Sequence, residues 1–181
     1  MKVSLNRIAI LLGCAVAAAL FASSCTKVGT DGADLPSNAA AAYTVSVNDE
    51  MLEALDIFVQ FYDDEGNKRV EAITTPDTWI KKVNAKIPTR IGACLILIPK
   101  DTFDPDLSGT IQLAYSCEID GRVLTAGRGR TYNTFDYHKQ STRTIKTERL
   151  TEWVTRFTAQ DPLGALFAIT PDGKTESLPW E

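Results

Sequence analysis

The sequence predicts a mostly β chain: an antiparallel β-sandwich of about eight strands with one amphipathic helix near the C-terminus. Three observations predict it. Apolar residues alternate with polar ones through most of the chain after Tyr43, the period of half-buried strands. Clusters of Asp, Asn, Gly and Pro, as at Asp63–Asn67 and Pro171–Gly173, punctuate the runs as turns. A helical period occurs once, where Leu150, Trp153, Val154 and Phe157 fall on one stripe.

The chain opens on a different pattern. Lys2 and Arg7 precede the apolar run Ile8–Phe21, and Ala22, Ser23 and Ser24 follow it. At about 14 residues the run is shorter than the roughly 20 that span a bilayer, so 1–24 reads as a cleaved export signal. The small triplet ending in Cys25 resembles the lipobox of bacterial lipoproteins, with Ala22 where Leu is usual. That resemblance implies acylation of Cys25 as the first mature residue. Residues 25–42, rich in Gly, Ala, Ser, Asp and Thr, read as the lipidated Cys and a flexible tether. Such a tether spans roughly 20–24 Å. The folded domain is then 43–181.

Within it, Tyr43, Val45 and Val47 begin the alternation. Leu55, Ile57, Val59 and Phe61 continue it, and the turn Asp63–Asn67 returns Lys68–Thr75 as a hairpin partner. Thr78–Lys86 is another strand. Arg90–Ile98 is apolar on both faces, which predicts a central strand covered on both sides, one of them by the late helix. Thr110–Ile119 follows a loop, and Asp120-Gly121 reads as a tight turn into Arg122–Gly127. The helix covers Thr147–Thr158, with Glu152 and Arg156 as an i,i+4 pair, and ends at Asp161-Pro162. A hairpin around Pro171–Gly173 closes the chain.

Composition narrows the function classes. The formal net charge is -4, and loss of Lys2 and Arg7 with the leader takes it to about -6. A net acidic domain is a poor general binder of nucleic acid, which requires an excess of Lys and Arg. Basic residues nonetheless crowd 122–149, where Arg122, Arg128, Arg130, Lys139, Arg143, Lys146 and Arg149 are opposed by Asp136 and Glu148. They are either a patch for lipid headgroups or an acidic glycan, or solvated strand and loop positions.

The Leu55–Gly66 strand and acidic turn, the Thr75-Pro76-Asp77-Thr78-Trp79 stretch, and the late helix with its Asp-Gly hairpin ending near Trp180 join the lipobox-like start. Together they resemble small β-sandwich lipoproteins of gut Bacteroidetes. The resemblance implies an immunoglobulin-like or prealbumin-like sandwich at the cell envelope and no catalytic residues.

Candidate sites follow from residue chemistry. If Arg90–Ile98 and Thr110–Ile119 pair in antiparallel fashion, Cys94 and Cys117 become cross-strand neighbours. They are then either a disulfide closing a loop of roughly 23 residues or two buried thiols. His138 is the only histidine, and the sequence offers it no nucleophile elbow or metal-ligand spacing. Asp101, Asp104 and Asp106 make an oxygen-rich loop without EF-hand spacing, so no metal is expected. Tyr132, Phe135 and Tyr137 interleave with Arg128, Arg130 and Lys139 as candidate ligand contacts, with Trp79 and Trp180 as lesser ones. Trp153 belongs to the helix stripe and to the core. The sequence-level reading is therefore an exported, non-catalytic envelope binding or structural domain without a cofactor, anchored by its lipid at the periplasmic or surface-exposed face of the outer membrane, with a glycan or another envelope protein as partner. Its alternative is a carbohydrate-binding accessory protein of an outer-membrane glycan uptake system.

Overall fold

The computed structural model describes residues 35–104, 109–160 and 162–180. Their elements, in order, are β1 (Pro36–Val47), α1 (Asp49–Ala54), β2 (Leu55–Tyr62), β3 (Lys68–Ile73), β4 (Trp79–Lys86) and β5 (Thr89–Pro99). Then come β6 (Thr110–Thr125), β7 (Thr131–Lys146), a 3-10 turn (Thr147–Arg149), α2 (Leu150–Gln160), β8 (Gly164–Ile169) and β9 (Thr175–Leu178). All strand pairs are antiparallel. One sheet, A, has the order β4-β1-β6-β7, and the other, B, has β3-β2-β5-β8-β9. The predicted sandwich is the observed architecture.

The alternation read from the sequence explains the packing. Tyr43, Val45 and Val47 of β1 face Ile57, Val59 and Phe61 of β2 and Ile91, Ala93, Leu95 and Leu97 of β5 across one shared core. Each fully buried aliphatic side chain stabilises that core by about 1.5–3 kcal/mol. Tyr43 ties the sheets together with a polar bridge. Its buried hydroxyl donates to the Tyr62 carbonyl at 3.1 Å and accepts from the Gly92 amide at 3.2 Å. Burial pushes its phenol well above the ordinary range, so it stays a donor.

The pairing register sorts the connections into two poles. Pro36, the turn at 63–67, the connection between β4 and β5, and the turns at 126–130 and 170–174 share one pole. There Ala126 donates its amide to the Leu35 carbonyl at 2.9 Å. The opposite pole carries α1, the connection at 74–78, the start of the loop after β5, and Thr147–Arg149.

Several expectations are corrected. The strand begins at Pro36, so 36–42 is not tether and the folded domain starts before Tyr43. Its alternate alanines are small enough to pass between β4 and β6, and Ala39 and Ala41 are buried. Cys25 and the rest of the tether up to residue 34 lie outside the described residues. Asp120-Gly121 is no turn, because β6 runs straight through it. Gly121 instead makes room for a ring: a Cβ there would lie 2.1 Å from Phe135. The hairpin turns later, where Gly127 and Gly129 adopt positive φ. His138 lies within the long strand β7.

The helix does not cap the far side of sheet B. Its stripe of Leu150, Trp153, Val154 and Phe157 joins the common core. Trp153 and Phe157 both lie 6.3 Å from the Tyr115 ring of β6, and Lys139 of β7 stands over Phe157. The far side of β5 is covered only in part. Trp180 sits over Gly92 and Cys94 is buried, whereas Ile98 is 48% exposed. The short helix α1 escaped the sequence reading. Asn48 fixes its start, donating to the Gln112 carbonyl at 2.7 Å and accepting from the Ala114 amide at 3.1 Å. Asp161 and Asp106 lie outside the described residues.

Candidate functional site

The cysteine pair separates. β5 pairs with β2 and β8, and β6 with β1 and β7, so the loop after β5 crosses between sheets. Cys94 stands between Gln60 and Gly164, and Cys117 between Val45 and Lys139. Both are buried free thiols, which overturns the cross-strand disulfide. Burial pushes Cys94 up to about 11 and Cys117 up to about 12, so neither is a reactive thiolate at neutral pH.

The aromatic candidates also part company. Phe135 is buried, 5.1 Å from the Phe167 ring, and is a core residue rather than a ligand contact. Tyr132 lies at a register shift opposite Val123 and Leu124, where a bulge re-aims its side chain. It is 52% exposed and rests against Gly173, whose added Cβ would meet the ring at 2.8 Å. Arg128 and Arg130 are exposed in the adjoining turn, closed by Thr125, whose amide donates to the Arg130 carbonyl at 2.8 Å. Tyr137 is half-buried further along β7.

His138 is exposed and pairs with Glu118 at 3.3 Å on the outer face of sheet A. Asp101 and Asp104 are exposed. Among the described residues no group of His, Cys, Asp or Glu is arranged to hold a metal ion. Trp79 donates to Glu71 at 3.0 Å and packs 5.4 Å from Phe61. The Lys81 ammonium, hydrogen-bonded to Glu71, holds that carboxyl below its usual range. Trp153 is core as expected, and its indole N–H has no partner among the described residues.

Two grooves remain. A side cleft of about 330 Å³ runs between β7 and the β8–β9 hairpin. It brings together Tyr137 and Trp180, two of the sequence candidates, with Asp136 and Ser177. Trp180 is held there by its indole N–H, which donates to Gln60 at 3.0 Å, and by an edge-on contact with Tyr62 at 6.1 Å. Aromatic surface beside a carboxylate and a hydroxyl offers stacking and hydrogen bonds to a polyhydroxylated ligand. Pairing them takes the fold, because the two rings lie at distant positions in sequence.

The second groove is larger, about 870 Å³, and opens at the pole where β1 begins. Asn38, Asp64, Glu65, Asn84, Lys86 and Arg90 supply its polar lining. Its carboxylates are engaged: Asp64 accepts from the Asn84 amide at 2.6 Å, and Glu65 accepts from Asn67 at 3.0 Å. The sequence did not mark this groove, since its residues come from β1, the turn after β2, the junction of β4 and β5, and the end of β8. No protein-family model, curated protein or solved structure matches the chain.

Proposed function

We propose that the chain is an exported lipoprotein of the cell envelope, related to the small sandwich lipoproteins of gut Bacteroidetes that its motifs resemble. Residues 1–24 are removed, Cys25 is acylated and the sandwich serves as a non-catalytic binding or structural module, most simply at the outer membrane. The observation that carries this reading is the order of the chain's first third: charged front, short apolar run, small triplet, Cys25, and then a strand from Pro36. The ten residues from Thr26 to Leu35 reach at most about 35 Å, so the lipid holds the domain close to the bilayer. Growth with an alkyne-tagged palmitate tests it. The wild-type chain incorporates the label and Cys25→Ala does not; equal labelling of both contradicts acylation at Cys25.

The side cleft supports a second reading, a carbohydrate-binding accessory protein of a glycan uptake system. Tyr137 and Trp180 form the sugar platform there, and Asp136 and Ser177 bond its hydroxyls. A stacked ring contributes about 1 kcal/mol, so Tyr137→Ala or Trp180→Ala weakens glycan binding about fivefold. A glycan array probed with the wild-type chain and both variants decides it; binding that neither variant weakens removes the cleft from consideration.

A further inference from the structure

The two poles of the sandwich carry opposite charge. At the pole holding α1, Lys146 and Arg149 pair with Glu148 and Glu152, and exposed Asp49, Glu50, Glu53, Asp77 and Asp101 leave an acidic end. At the pole where the chain enters, the acids are tied into the turns. Asp63 is paired with Arg69 at 2.6 Å, and that hydrogen bond holds its carboxyl below the usual range. Asp172 pairs with Lys174 at 2.7 Å, and that bond, helped by Thr170, holds it down to about 2. Asp64 and Glu65 accept from neutral amides and keep their charge, but Lys68, Lys86, Arg90, Arg128 and Arg130 outnumber them.

The cations of this pole are not all matched. Lys86, Arg128 and Arg130 are exposed and have no ion pair or side-chain hydrogen bond among the described residues. Two of the exposed large apolar side chains, Leu35 and Tyr132, stand beside them, at 69% and 52% exposure. Leu35 is bonded directly to the turn that carries Arg128 and Arg130. Unpaired cations, an exposed aliphatic and an exposed tyrosine form the chemistry of a membrane interface. The preceding sequence adds Asp31 and Asp34 against Lys27, which does not cancel them.

We propose that this pole docks on anionic phospholipid headgroups of the membrane that holds the chain. The inference rests on the acylation of Cys25 for its geometry: the tether leaves the domain at Leu35, so the basic pole faces the bilayer and the acidic pole faces away. The partner is the lipid surface because the short tether keeps this pole within reach of it. The attraction is about fivefold in the docked-to-undocked ratio for each cation, and about a hundredfold for the three.

Hydrogen exchange on the full chain in vesicles tests the docking. In vesicles containing about one-third phosphatidylglycerol, a composition chosen to give a strongly anionic surface, the amides at 126–130 are expected to exchange more slowly than in phosphatidylcholine vesicles. Raising the salt to about 1 M, where screening is complete within about 3 Å, removes that protection. Lys86→Gln/Arg128→Gln/Arg130→Gln removes it at low salt, and exchange in the β5 core reports that the variant is folded. Equal exchange in both vesicles, protection that survives the triple variant, or protection at the acidic pole instead would each overturn the proposal. Intact mass of the same sample shows whether Cys25 is acylated, so a failed anchor and a failed dock are told apart.

Discussion

β5 and β7 are both long strands, yet they are held in place by different means. β5 lies at the centre of sheet B, pairs on both edges, and places Ile91, Ala93, Leu95 and Leu97 in the core. β7 lies at the edge of sheet A, pairs only with β6, and commits one ring fully, Phe135, with Tyr137 and Ile145 partly buried. The strand with two apolar faces is specified by its own sequence. The polar strand is specified by its neighbour, whose unbroken apolar face extends the ladder, and by the fit of one ring over one glycine. The charged and polar residues along β7 also suit an edge, since they discourage pairing with another chain.

The largest effect that follows is at Phe135. Phe135→Ala is expected to cost about 4 kcal/mol in denaturant unfolding, since it empties the contact with Phe167 and the space over Gly121. Ile91→Ala in β5 is expected to cost about 3 kcal/mol. Tyr43→Phe follows at about 1–2 kcal/mol, because the Gly92 amide loses its acceptor in a buried site. Thr144→Ala on the exposed face of β7 stays within about 0.5 kcal/mol. A Thr144→Ala cost equal to that of Ile91→Ala would break the distinction between the two strands.

The thiols sharpen it from another side. Cys94 and Cys117 ionise near the ordinary value of 9 when unfolded and only near 11 and 12 when folded. Their contribution to stability is therefore complete below pH 9 and is lost as pH rises toward those folded values, at up to about 1.4 kcal/mol per pH unit for each thiol. Unfolding midpoints measured from pH 8 to 10 are expected to fall accordingly. Maleimide labelling of the native chain at pH 7 should leave both thiols untouched, whereas labelling of the denatured, unreduced chain should find both.

The contrast between β5 and β7 also marks what could be read beforehand. β2, β5, the hairpin at Asp63–Asn67 and the stripe of α2 were legible because local periodicity and tertiary burial agree there. The alanines of β1 hid a central strand, because small residues carry little hydrophobic signal while fitting closely between neighbours. Asp120-Gly121 reads as a turn by composition, but Gly121 is needed as space for Phe135, a long-range demand that no local window reveals. The partition of Cys94 and Cys117 between sheets depends on the crossing of the loop after β5, and antiparallel neighbours in sequence are only the usual outcome. For the candidate site, Tyr137 and Trp180 were visible as residue types. Their meeting in one cleft depends on the C-terminal hairpin reaching the edge of β7.

The central proposal is that Cys25 is the lipidated start of the mature protein. Intact mass spectrometry of the chain extracted from membranes tests it most directly. Lipidation predicts a mature chain beginning at Cys25 and carrying added acyl mass on its N-terminal peptide. A chain that begins elsewhere, or at Cys25 without acyl mass, would contradict it.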